Sequence, residues 1–231
     1  MDDQSDEHGI TPLIWTASKG YRNAVERLLE AGAEVGHKNA KGETVFDVAV
    51  KAGRARVVDF LLDAKVGDYR LDKVMGGGKA TPLVFSASCG RADIVSVLLE
   101  SGADATVKDA RGVSPLLAAV KHGRSKVVST LLRSDFGEDL AASADYGKCP
   151  LLVRAVKLGF ADVVSALLAG GFAEDVDERD VHGATALHWA CHKVCLLSSG
   201  PGHTQAAALT SLPPNRALRA PRSTSSTPVR L

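Results

Sequence analysis

Two markers recur along this chain in a single register, and that recurrence restricts its fold more than any other feature. Single glycines, Gly20, Gly53, Gly90, Gly123 and Gly159, are separated by 33, 37, 33 and 36 residues. A leucine pair follows each of them, at Leu28-Leu29, Leu61-Leu62, Leu98-Leu99, Leu131-Leu132 and Leu167-Leu168, with the same intervals. A fixed period of this length marks a repeat architecture, in which a unit too small to hide its own apolar face buries it against the next. Ala, Val and Leu dominate while aromatic residues make up only 5%. That composition suits a repetitive helical core better than a sandwich of sheets.

Each unit reads as two short helices. Thr11-Pro12, Thr81-Pro82 and Ser114-Pro115 are helix starts, because a hydroxyl can accept from an orphan backbone N–H and proline is tolerated in the first turn. The glycine about nine residues on ends the helix, since a residue without Cβ takes the left-handed turn at no steric cost. A second helix then carries an apolar stripe: Val25, Leu28 and Leu29 in the first unit, and Ile94, Val95, Leu98 and Leu99 in the third. Gly32 and Gly102 stand just past it, where a left-handed cap is expected, and Lys65 and Asp135 take that slot in units two and four. Val66 to Lys79 and Phe136 to Gly147 absorb the longer intervals and are expected to be mobile loops. Trp15, Phe46 and Phe85 are expected to fill gaps between units.

Gly9-Ile-Thr-Pro-Leu13, Ala80-Thr-Pro-Leu83, Val113-Ser-Pro-Leu116 and Gly183-Ala-Thr-Ala-Leu-His188 resemble the ankyrin repeat family, as do Leu28-Leu-Glu-Ala-Gly-Ala-Glu34 and Leu98-Leu-Glu-Ser-Gly-Ala-Asp104. The resemblance implies an all-α fold, a solenoid of stacked helix-turn-helix units joined by hairpin-like loops. It covers residues 8–195, with repeats at about 8–40, 41–77, 78–110, 111–146 and 147–181 and a partial sixth at 182–195. Two places depart from the pattern. In the fifth repeat either Cys149 or Pro150 can be aligned with the capping threonine, and Arg154 falls where apolar residues sit elsewhere. In the sixth, Val194 stands where the helix-ending glycine is expected. Residues 1–7 form an acidic extension. Residues 196–231 form a Ser/Thr/Pro/Arg-rich tail expected to be mostly disordered, within which 203–212 reads either as a degenerate capping helix or as plain tail beyond a stack that ends on a bare apolar edge.

Charge bounds the partners. The formal net charge is +1, but the four arginines of residues 196–231 face no acid, so residues 1–195 carry −3. Neither part has the basicity of a dedicated nucleic-acid binder. The N-terminus holds Asp2, Asp3, Asp6 and Glu7 in place of an apolar leader, and no apolar stretch approaches the roughly 18 residues of a membrane span. An intracellular location, cytoplasmic or nuclear, is the expectation. Cys89, Cys149, Cys191 and Cys195 are accordingly expected as thiols.

Gly76-Gly-Gly-Lys-Ala-Thr81 lacks the Ser/Thr after lysine and the first glycine that a phosphate-binding loop requires. His188, Cys191, His192 and Cys195 have spacings that could serve zinc. His188 and Cys191, however, fall where the resembling family commonly carries histidine and a small residue. No nucleophile motif or dinucleotide fingerprint is present, so the chain is not expected to be an enzyme, to hold a cofactor or metal, or to take a small-molecule substrate.

The resemblance implies binding through loop tips and the exposed side of the first helices. In register, the ends of those helices hold Ser18-Lys19, Lys51-Ala52, Ser88-Cys89, Lys121-His122, Lys157-Leu158 and His192-Lys193. Lys19, Lys51, Lys121, His122, Lys157 and Lys193, with Tyr69, Arg70, Lys108 and Arg111 on the loops, are the candidate partner-binding residues. A row of lysines favours an acidic segment of another protein, although lysine also complements the dipole at any helix end. The alternatives are the targeting region of a larger enzyme and nucleic-acid binding; the latter would need aromatics between the lysines that are missing here.

Overall fold

The hydroxyls that open each repeat cap the helices that follow them. In the computed structural model, which describes residues 7–65, 67, 69–142, 149–172 and 174–198, Thr11, Thr44, Thr81 and Ser114 accept from the amides of Ile14, Asp47, Val84 and Leu117 at 3.2–3.3 Å. The helices they start are α1 (Pro12–Lys19), α3 (Val45–Ala52), α5 (Pro82–Cys89) and α7 (Pro115–Lys121). Each is followed by a partner: α2 (Arg22–Glu30), α4 (Ala55–Asp63), α6 (Ala92–Glu100) and α8 (Ser125–Leu132). After α9 (Gly137–Ala142) come α10 (Leu151–Leu158) and α11 (Ala161–Ala169), then a 3₁₀ turn (Glu174–Asp177) and α12 (Ala186–Ser198). No strand occurs among the described residues, and the fold is an all-α repeat solenoid.

The chain divides into two units, Met1–Trp189 and Ala190–Leu231. In the first, α1, α3, α5, α7 and α10 pack in sequence order as one layer, and α2, α4, α6, α8 and α11 as another. Their shared core is aliphatic: Leu13, Leu83, Leu116 and Leu152 from the first helices meet Val25, Leu61, Ile94, Leu98, Leu131 and Leu167 from the second. Of the second unit the described part is Ala190–Ser198, the end of α12. The proposed capping segment 203–212 lies outside the described residues.

The register glycines have two reasons to be glycine. All five adopt left-handed backbone, with φ between 69° and 85°. A Cβ on Gly20, Gly53, Gly90 or Gly123 would also lie only 2.8–2.9 Å from Arg54, Arg91, Arg124 or Phe160 of the next repeat. Gly32 and Gly102 are left-handed as expected, and Lys65 holds the same conformation at φ 49° with a side chain.

Two local expectations change, and one alternative is decided. Trp15 is 50% exposed, whereas Phe46 is buried and Phe85, at the position of Trp15 in its own repeat, is half-buried. The two long connections are partly core: Tyr69 stacks on Phe46 at 4.7 Å between centroids, Met75 is buried, and Leu140 of α9 is buried. In the fifth repeat Pro150 takes the capping position and supplies no side-chain bond. Arg154 is half-buried on α10.

Candidate functional site

Three side-chain devices hold the loops and the stacked repeats, and they determine which polar groups remain on the surface. The first lies in the hairpin loops. Asn39 Oδ1 accepts from the amides of Lys41 and Glu43, Asp109 Oδ1 from Arg111 and Val113, and Asp180 Oδ1 from His182 and Ala184, all at 2.8–3.1 Å. Each residue thereby satisfies the turn it sits in. Neighbouring loops also bond directly, Ala40 N–H to the His8 carbonyl at 2.9 Å and Ala110 N–H to that of Lys79 at 3.0 Å.

The second device is a lysine that reaches from a first helix into the next hairpin loop, and at Lys51 also back to the loop before the helix. Lys51 Nζ donates to Glu43 Oε1 and to the Gly76 carbonyl, both at 2.7 Å. Lys157 Nζ lies 2.8 Å from Asp180 Oδ2 and 4.0 Å from the centre of the Trp189 ring, whose Nε1–H donates to the same carboxylate at 3.0 Å. Burial by itself would raise the Asp180 carboxyl. The bonds from Lys157, the amides of Ala184 and His182 and the Trp189 indole outweigh it, and the carboxyl is held well below the usual carboxylate range. Glu43 is likewise lowered, burial opposing and the bonds from Lys51 and Asn39 prevailing. Asp109 is lowered against its own burial by the Val113 amide and by Arg111, at 2.7 Å.

The third device had no counterpart in the sequence reading. Arg54 Nε donates to the Ser18 carbonyl at 2.9 Å, Arg91 Nη1 to those of Val50 at 2.6 Å and Lys51 at 3.0 Å, and Arg124 Nε to that of Ser88 at 3.1 Å. Each arginine caps the open carbonyls that end the preceding first helix. The signal was present as Gly53-Arg54, Gly90-Arg91 and Gly123-Arg124, an arginine directly after the register glycine.

The candidate residues therefore separate. Lys19, Lys121 and His122 are exposed at first-helix ends, with His122 Nδ1 2.9 Å from the Ala118 carbonyl. Lys51 and Lys157 are half-buried in the bridges just described. Arg70, Lys108 and Arg111 are exposed on the loops. Tyr69 is turned into the core against Phe46, and burial pushes its phenol well above its ordinary range. Lys193 is half-buried in the second unit. The glycine-rich stretch is occupied by repeat pairing: Gly76 N–H donates to Asp47 Oδ2 at 3.2 Å, and a Cβ on Gly76 would overlap the Gly42 carbonyl. Thr185 Oγ1 and His188 Nδ1 are 2.8 Å apart, so His188 serves the start of α12. Among the described residues no three His, Cys, Asp or Glu side chains are grouped as a metal site would need. No helix described is long and apolar enough to cross a membrane.

Comparison with known proteins agrees with this architecture. A family model of ankyrin repeats in three copies matches residues 1–72 and 69–144. An ankyrin repeat and KH domain-containing protein of Caenorhabditis elegans, mask-1, is 30% identical over 128 residues, 54% of this chain and 5% of that protein. A Caenorhabditis elegans homologue of transient receptor potential cation channel subfamily A member 1 is 28% identical over 191 residues, 83% of this chain and 15% of that one. Palmitoyltransferase AKR1 of Lachancea kluyveri is 29% identical over 146 residues, 63% of this chain and 19% of the enzyme. The chain thus spans less than a fifth of the length of each of these relatives.

Proposed function

Because the chain belongs to the ankyrin repeat family, we propose that it is a protein-interaction module that presents loop tips and first-helix ends to a partner protein. Ankyrin repeats are in general protein-binding units, and the distribution of internal bonds supports that reading for this chain. In every hairpin built on Asn39, Asp109 or Asp180, the turn-forming side chain is consumed by its own loop. The residues beside it, Lys38, Lys41, Lys108, Arg111, Arg179 and His182, stay exposed. A fixed frame with variable exposed tips is how a repeat protein selects a partner. Of the first-helix candidates, Lys19, Lys121 and His122 are available for such contact, while Lys51 and Lys157 position loops.

A photo-crosslinking amino acid at Lys19 or Lys108 tests the reading. Crosslinks to a protein at these two positions, and none from Asp63 on the outer face of α4, are the expected result. Crosslinks from Asp63 alone would remove the loop-and-groove surface.

A second reading is that the chain is the targeting region of a larger enzyme. It is favoured by the match to a palmitoyltransferase over 63% of this chain and only 19% of that enzyme. The gene sequence on either side of the present reading frame checks it.

A further inference from the structure

The helix-to-helix turns carry a charge pattern unlike the rest of the chain. Residues 18–23, 51–56, 88–93 and 121–126, the turns of the first four repeats, hold nine lysines and arginines and one acid, Asp93. The chain as a whole is almost neutral, with 28 basic and 27 acidic residues. All nine cations except Lys51 and Arg91 are exposed. The turns are held side by side by the bonds from Arg54 to Ser18, Arg91 to Val50 and Arg124 to Ser88. The row is therefore a fixed edge whose charges cannot spread apart, and its ordering cost is met in folding instead of in binding. At the fifth turn, residues 157–162, Lys157 is the one cation left and is half-buried in its bridge to Asp180, while Phe160 and Asp162 stand where the second turn has Arg54 and Arg56.

A second feature lies at the N-terminal end of that edge. Trp15 and Tyr21, about half exposed, meet edge-on with ring centres 6.0 Å apart, and Lys19 Nζ is 5.8 Å from the Trp15 ring. Beyond Tyr21 opens a cleft of about 750 Å³ lined by Arg22, Asn23, Arg56 and Asp59 among others. The cleft itself holds Tyr21, Arg22 and Arg56, with exposed Trp15 next to Tyr21, and tryptophan, tyrosine and arginine are the residue types that dominate binding energy at protein interfaces.

We infer that the turn edge of the first four repeats is a docking surface for an extended acidic protein segment, anchored by an apolar residue at the cleft beside Tyr21. The inference rests on the reading of the chain as a partner-binding module and deepens it at the first-helix ends, since Lys19 and Lys121 lie on this edge and apart from the hairpin tips. Carboxylates fit the guanidinium fork of Arg22, Arg54, Arg56 and Arg124. A nucleic acid fits less well: the aromatics are confined to one end instead of spaced as a stacking platform, and the near-neutral chain lacks the bulk field that phosphate backbones exploit. Single exposed ion pairs contribute little each, so binding requires several turns together and weakens with salt.

The test uses the full chain and a fluorescein-labelled peptide of ten glutamates ending in leucine, read by fluorescence anisotropy at low salt. Reversal of three exposed cations, Arg56→Glu, Lys121→Glu and Lys126→Glu together, is expected to weaken binding about tenfold or more. A hairpin control, Lys38→Glu, Lys41→Glu and Lys108→Glu, is expected to change it by less than about twofold, because those charges lie off the surface and are screened. The milder pair Lys121→Gln and Lys126→Gln, with unchanged far-ultraviolet circular dichroism, is expected to cost about threefold and guards against a misfolded triple variant. Equal losses in the edge and hairpin variants, no binding by the unaltered chain, or tighter binding of duplex DNA or phosphatidylserine vesicles than of the peptide would each overturn the inference. Crosslinks at Lys108 in that event would leave the broader module reading in place and remove this face alone.

Discussion

Leu83 in α5 and Leu187 in α12 hold the same place in the repeat, two residues after a capping threonine, and they end in opposite environments. Leu83 is 2% exposed and Leu187 is 68% exposed. Both helices start in the same way, since Thr81 caps Val84 and Thr185 meets the amide and ring of His188. The difference arises afterwards. Gly90 turns the chain after eight residues of α5 and returns it as α6, whose Ile94 and Leu98 enter the core shared with Leu83. Val194 makes no such turn, and α12 runs on for 13 residues. A helix start is thus a local property, whereas burial of the leucine behind it depends on what packs against it.

The largest effect expected from this contrast is at Leu83. Leu83→Ala should destabilise the first unit by about 2–5 kcal/mol, the range for emptying a packed leucine site, as read from urea unfolding. A loss below about 1 kcal/mol would mean that the α5–α6 pair is not the closed unit described, since a site that loses so little has no cavity to leave.

Next in size is the bridge that closes on Trp189. Asp180→Asn should cost about 1–3 kcal/mol at pH 7, because it removes the charged acceptor of Lys157 and the Trp189 indole. A carboxyl depressed by folding stabilises above its unfolded pKa of about 4 and loses that contribution as pH falls further. The unaltered chain should therefore lose stability through the acid range, and Asp180→Asn should flatten that limb. Parallel acid limbs in the two proteins would break the assignment. The Lys51 bridge ends partly on the Gly76 carbonyl, which does not titrate, and partly on the lowered Glu43.

Smaller again is the cap. Thr81→Ala should cost about 1 kcal/mol in thermal or urea unfolding, the usual value of a side-chain N-cap. The smallest effect belongs to the other half of the comparison. Leu187→Ala should change stability by no more than about 0.5 kcal/mol, as for exposed sites in general. A loss at Leu187 approaching that at Leu83 would show that something covers α12 in solution, and would erase the contrast.

Much of this molecule could be read from its residues. The period of the glycines and leucine pairs predicts five two-helix repeats and the start of a sixth, and Thr11, Thr81 and Ser114 are recognisable as caps. Val194 stands where the sixth repeat lacks its helix-ending glycine. The lysine row is legible only as a row: nothing in Lys51 or Lys157 announces that one reaches back to Glu43 and forward to the Gly76 carbonyl, and the other forward to Asp180 and Trp189. Tyr69 read as a loop residue because its partner Phe46 lies in the preceding first helix. Leu140 and Met75 sat in stretches that look like loops and are pinned by burial.

What the sequence determined alone is what short-range physics controls: helix starts, the left-handed turns that reverse the chain, and the apolar stripe of each helix. The tertiary structure decided what depends on the neighbouring repeat. That includes which lysines face solvent and which hold a loop, and why the register glycines must also leave room for Arg54, Arg91, Arg124 and Phe160. It includes whether a leucine in the right place is covered. The reason is distance along the chain, since these groups meet partners about one repeat away, and only stacking brings a residue within bonding reach of one so remote in sequence.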